Sequence, residues 1–219
     1  MLRIDIQFFG GRGAASVTRY KGGGGGHAIE TRDMISERGK HGGMVDETLT
    51  TFADFADEYG TQVEQIQLAK MDAAGSNTLA YYDASGNIAF NEAYFNSAKI
   101  NKAYADCVKE GFHPSNGKKT AAQAIAAHEL GHKLTADAAS KMGMNGFGSL
   151  DSAATRIVKE ARKQTKHKGV VIMSSKISKY ATASNAEAIA EAVSDVYCNG
   201  NKARSESKAI VNVLNKYVK

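Results

Sequence analysis

The chain has 219 residues, 42 % of them hydrophobic, a net charge of +5 and only two cysteines. This length fits one domain with appendages, and the apolar fraction is enough for a core. Two cysteines exclude a disulfide-framed or zinc-ribbon scaffold, no apolar run reaches the roughly 18 residues of a membrane span, and the basic residues do not form the dense stripe of a nucleic-acid binder.

Residues 1–9 alternate, with Leu2, Ile4, Ile6 and Phe8 on one side, which predicts a short strand or a sticky extended peptide. The stretch is too polar and too short for the apolar region of a signal peptide, so synthesis in the cytoplasm is expected. Glycine-rich segments follow at 10–16 and 22–26; they read as a linker that cannot pack. They are not a phosphate loop, because no Gly-Lys-Ser/Thr follows. Residues 1–43 therefore read as a flexible arm, an apolar hook on a loose tether suited to docking. The folded domain is expected over 44–219.

Helical spacing of Leu49, Phe52, Phe55 and Ala56 predicts a helix over 45–59, stopped by Gly60. A weak strand is expected over 63–68, and a hairpin over 79–82 and 88–90 around the glycine-containing turn 83–87. Helix returns over 94–110. Beyond the Gly-rich loop 142–148, further helices are expected over 152–166, 186–197 and 203–217, with a short strand at 170–173. Most strand signals precede the helices, which points to an α+β fold with a mostly helical C-terminal half.

One stretch carries chemistry. His128-Glu129-Leu130-Gly131-His132 is an HExxH pattern. Residues four apart share a helix face, so both imidazoles can reach one ion, and neutral imidazole suits Zn²⁺. Glu129 then stands as a general base toward a water at the ion. The surroundings favour a buried helix: Thr120 and Gln123 fit a capping box, five alanines lie in the first two turns, and Ile125, Leu130 and Leu134 are apolar. Gly131 weakens a helix by about 1 kcal/mol relative to Ala, which suggests close approach by another backbone. The bland alternative is a core helix with two satisfied histidines.

A catalytic zinc site needs a third protein ligand. The extended HExxHxxGxxH pattern is excluded, because Thr135 and Ala138 stand where its Gly and His would be. His167 lies among Lys163, Lys166 and Lys168, which disfavours a cation there. His27, His41 and His113 precede the motif, the first two within the arm. Glu187 and Glu191 lie i,i+4 on an Ala-rich helix, where two carboxylates are costly to bury without a cation. One would bind the ion and the other would orient an imidazole. Ser184 and Glu187 also fit a capping box, which would leave Glu187 exposed and make Glu191 the ligand.

The segment from Tyr180 to Glu191, YATASNAEAIAE, resembles the third-ligand segment of the anthrax lethal factor-like zinc metallopeptidases, a gluzincin family. There a Tyr precedes the ligand Glu by seven residues. The resemblance spans roughly 78–198, and its specific motifs are this segment and HExxH. Ala188 and Ile189 replace the aromatic pair often found after the ligand Glu. The resemblance implies a zincin-like fold, with a small mixed sheet whose edge strand lies over the HExxH helix. It places that edge strand within 87–94, along an extended substrate peptide. It implies Zn²⁺ on His128, His132 and Glu187, Glu129 as base, Tyr180 as donor to the oxyanion, and Glu191 behind an imidazole. A second resemblance sits at the N-terminus: IDIQFFGGRG, residues 4–13, looks like the opening of proteins encoded beside head-morphogenesis genes in phages and prophages of Gram-positive bacteria. It implies an arm that docks on capsid or head proteins and a peptidase carried in the virion. The expectation is thus a zinc endopeptidase acting on a polypeptide. Its rivals are a phage structural protein with a closed zinc site and a peptidase toxin acting on a host protein.

Overall fold

The computed structural model describes residues 31–71, 78–83, 85–146 and 148–219, so the apolar hook and the glycine linkers fall outside the described residues. The described chain opens with β1 (Thr31–Asp33), a 3-10 turn and α1 (Arg38–Tyr59), which is kinked at His41. β1 pairs antiparallel with β2 (Ile66–Ala69), and Met34 is fully buried. Residues 31–43, read from composition as part of the arm, thus carry an edge strand and the first helical turns. The Gly39-Lys-His-Gly-Gly43 run hid them, since glycine weakens any helical pattern.

β3 (Ala80–Tyr82) and β4 (Ile88–Asn91) form the hairpin expected from their spacing. Asp83 organises its turn by accepting from the N–H groups of Ser85 and Asn87 at 2.8 and 3.0 Å. The four strands are ordered β1-β2-β4-β3, with β2 and β4 parallel, so the sheet is mixed. This corrects the expectation that 87–94 holds the edge strand. β4 is interior and buried on both faces: Ile88 and Phe90 join the main core, while Ala89 packs with Tyr81 and Ala69 on the other side. The edge beside the helices is β3. A local pattern cannot tell the two apart, because which hairpin arm meets β2 is set by a pairing distant in sequence.

The remaining elements are α2 (Ser97–Lys109), α3 (Ala121–Lys141), α4 (Ser149–Lys163), α5 (Val170–Ser174), α6 (Asn185–Asn199) and α7 (Ser205–Val218). The architecture is α+β and mostly helical. The strand expected at 170–173 is instead α5. Its backbone bonds close locally, Met173 N–H to the Gly169 carbonyl at 3.1 Å. Val171 and Ile172 stay exposed there while Met173 is buried. β-branched residues suggest a strand, but among the described residues no strand pairs with this segment, and the local bonds win.

α3 is the hub, packed by α1, α2, α4, α6, α7 and β3. Its start is fixed by a complete capping box: Thr120 Oγ1 accepts from Gln123 N–H at 3.3 Å, and Gln123 Oε1 accepts from Thr120 N–H at 3.1 Å. Alanines along α3 and α6 let these two helices approach closely. A Cβ placed on Gly131 would lie 2.7 Å from Ala190 Cα and 3.3 Å from Val193 Cβ. Backbone meets backbone at this point, and the HExxH residues face α6. Gly131→Ala is therefore expected to destabilise the protein by about 1–3 kcal/mol despite alanine's better helix propensity. Urea denaturation measures this; a midpoint at or above wild type would contradict the close approach.

Candidate metal centre

Three side chains converge between α3 and α6. His128 and His132 project from one face of α3, one turn apart, with ring centroids 5.1 Å apart. Glu187 comes from the first turn of α6. Ser184 caps that helix by accepting from the Glu187 N–H at 3.1 Å. The Glu187 side chain does not reach back to complete a box; it turns inward and is 3 % exposed. Half of the capping pattern is thus used, and the carboxylate is free for the interior. Glu187 Oε2 lies 3.2 Å from His128 Nε2 and 3.5 Å from His132 Nε2. One ligand atom from each residue lies within 4.8 Å of the others, and all three residues are buried.

These contacts lack good hydrogen-bond geometry. His128 Nε2 and Glu187 Oε2 are buried without a hydrogen-bond partner. The reason lies behind His128. Its Nδ1 is 2.8 Å from Glu191 Oε1, and an ionised carboxylate only accepts, so Nδ1 carries the proton. When the ring is neutral, Nε2 presents a lone pair toward the Glu187 carboxylate, and the two electron-rich atoms, away from water, need either a proton or a metal cation between them. The spacing suits a metal ion. Tetrahedral donors about 2.0–2.1 Å from a zinc ion lie about 3.3–3.4 Å from each other, and the two measured separations fall on either side of that value. Nitrogen, nitrogen and carboxylate oxygen are donors that zinc accepts; the cluster could hold a metal ion.

Electrostatics follow the same layout. Burial raises the Glu187 carboxyl, but the adjacent His132 and His128 imidazoles outweigh it and hold the group at about 2. Burial also disfavours a charged His128, yet Glu187 and Glu191 prevail and lift the imidazole well above the usual histidine range. Glu191 is likewise buried, and His113 and His128 hold it below the usual carboxylate range. Glu129 behaves differently. Burial raises it, and the two imidazoles and a backbone hydrogen bond from Tyr82 only partly oppose this. A buried carboxylate with a raised proton affinity is suited to taking up a proton from something placed beside it.

Tyr180 stands on a 3-10 turn, Tyr180–Thr182. Lys179 and Tyr180 donate their N–H groups to the carbonyls of Gly111 and Phe112 at 2.9 and 3.2 Å. That pairing draws the Tyr180 ring to 5.3 Å from Phe112, 5.6 Å from His113 and 6.0 Å from His128. The structure thus brings together His128, Glu129, His132, Tyr180, Glu187 and Glu191. His167 lies elsewhere, paired with Glu206 at 2.7 Å. His41 packs edge-on against Phe95 at the kink of α1.

Two residues of the centre were not assigned from sequence. His113 Nδ1 lies 2.8 Å from the same Glu191 oxygen that meets His128, and Ser178 Oγ donates to the other Glu191 oxygen at 2.7 Å. Neither carries a local signature. His113 is 78 residues from Glu191, in a non-helical link where no periodicity marks a face. The sole proline, Pro114, follows it and is the nearest thing to a cue. A comparison with known protein families, with curated proteins and with solved structures finds no match. Among the described residues, no helix is long and apolar enough to cross a membrane.

Proposed function

We propose that the protein is a zinc-dependent endopeptidase with a zincin-like fold, similar to the anthrax lethal factor-like gluzincins. The observation that carries this reading is the convergence of His128 Nε2, His132 Nε2 and Glu187 Oε2 at ligand spacing, with the buried carboxylate of Glu129 on the same helix. His128, His132 and Glu187 would hold the ion. When bound, zinc would polarise a scissile carbonyl and acidify a water. Glu129 would accept a proton from that water and pass it to the leaving amine, and burial raises its proton affinity. Tyr180, packed beside His128, donates to the oxyanion of the tetrahedral intermediate. The outer edge of β3, next to α3, is the edge on which an extended polypeptide would align.

Among the described residues the cluster offers three ligand groups, which would leave a coordination position for water and favours a catalytic centre over a closed structural one. The N-terminal resemblance supports a phage or prophage setting, with the arm docking on capsid or head proteins and the enzyme carried in the virion. A toxin acting on a host protein would use the same chemistry.

The test is elemental analysis combined with peptide digestion. The purified full chain is expected to hold one zinc per molecule and to cleave members of a peptide library, read by mass spectrometry, with cleavage lost on chelation and restored by zinc. Protein without stoichiometric transition metal would overturn the reading. Bound zinc without cleavage of any peptide or protein substrate would favour the structural alternative.

A further inference from the structure

Glu191 is held by more than its position on α6. It is 1 % exposed, and three groups converge on its carboxylate: His113 Nδ1 and His128 Nδ1, each 2.8 Å from Oε1, and Ser178 Oγ, 2.7 Å from Oε2. Ser178 is itself fixed, accepting from the Ala181 N–H at 2.9 Å. His113 is clamped in turn. It is 5 % exposed and stacks on Tyr104 with ring centroids 5.5 Å apart and planes within 4°. Tyr104 donates to the Pro114 carbonyl at 3.1 Å, locking the ring on which His113 rests.

We infer that His113 is a positioning residue for the ion. By donating from Nδ1 to Glu191 it fixes the carboxylate that holds the His128 ring, and so keeps His128 Nε2 aimed at the ligand cluster. The geometry leaves few other roles for it. Its Nδ1 is engaged by Glu191, and its ring lies edge-on to His128 at 6.2 Å. Without His113, Glu191 would keep two donors, and its Oε1 would be free to rotate away from His128. The tautomer of a ligating imidazole is set by the hydrogen bond at its other nitrogen, and losing such an outer partner lowers metal affinity by about 10- to 100-fold. A His–Glu–His chain spanning the link before α3, α6 and α3 thus controls ion retention from outside the coordination sphere.

This inference rests on the metal reading above, and the experiment separates the two. Zinc affinity is measured by competition with a chromophoric chelator for the full-length wild type, His113→Phe and His113→Asn. Phe keeps the stacking on Tyr104 but removes the donor; Asn offers a side-chain N–H near the position of Nδ1. The expected result is zinc binding weaker by about 10-fold in His113→Phe, the low end of the loss seen when a ligand's direct outer partner is removed, with most of the loss recovered in His113→Asn. Equal affinity in wild type and His113→Phe would overturn the positioning role and leave the metal site standing. Recovery absent in a folded His113→Asn would overturn it as well, since a role in packing alone predicts that outcome. Wild type that binds no zinc would overturn both readings. Should His113→Phe fail to fold, ¹⁵N NMR of the wild-type histidines decides: a proton on Nδ1 of both His113 and His128 is expected, and a His113 protonated only on Nε2 would overturn the proposal.

Discussion

Glu129→Gln is expected to slow peptide-bond hydrolysis by about 10²–10⁴-fold, the usual worth of general acid–base catalysis, while zinc content stays at one ion per chain. The substitution keeps the shape of the side chain and removes its capacity to take a proton. Glu129 is fully buried on α3, and burial raises its proton affinity. A residue that only filled space there would be better apolar, because burying a carboxylate costs free energy. The glutamine variant therefore need not be less stable than wild type. Lost turnover with retained metal and unchanged stability would mark Glu129 as a chemical participant. Cleavage within about twofold of wild type would remove it from the mechanism, and with it the assignment as a peptidase of this class.

Removing the ion is expected to weaken the fold, and more so at higher pH. At a free zinc concentration 1,000 times Kd, binding to the native state alone adds about 4 kcal/mol, and chelation takes that away. The pH dependence follows from the ligands. In ion-free protein His128 is raised above its ordinary 6.5 by Glu187 and Glu191. Its contribution is therefore complete below about pH 6.5 and fades as pH climbs through the raised value. Glu187 is depressed from 4.5 to about 2. Its contribution is present above about pH 4.5 and is lost as pH falls toward 2. Ion-free protein should thus be firmest between about pH 4.5 and 6.5. Zinc competes with protons for the imidazoles, so its affinity rises with pH. Thermal melts with and without chelator should separate more at pH 8 than at pH 6. A separation that does not change, or narrows, would mean that the histidines do not bind the ion.

What the sequence could reveal divides along the range of the interactions. The HExxH pair was legible because helical periodicity alone puts His128 and His132 on one face. Glu187 was legible only in part: Ser184 looked like one half of a capping box, and nothing local says that the Glu187 side chain turns inward once the helix is seated on α3. The open side of the sheet was misplaced because the parallel pairing of β2 with β4 joins segments about twenty residues apart and decides which arm of the hairpin is covered. Val170-Val171-Ile172 suggested extended structure by residue type, and lack of a partner strand made it helical. His113 was out of reach, since its role exists only where a loop, α3 and α6 meet.

The contact of Gly131 with Ala190 has a further consequence. The gap between the imidazoles and Glu187 is set by two main chains in touch, and not by the reach of flexible side chains. Parting of α3 and α6 would then spread the His128, His132 and Glu187 cluster. A coloured substitute such as cobalt, seated there, would act as a strain gauge: its hue would change with the first opening of the helix pair, before the rest of the fold gives way.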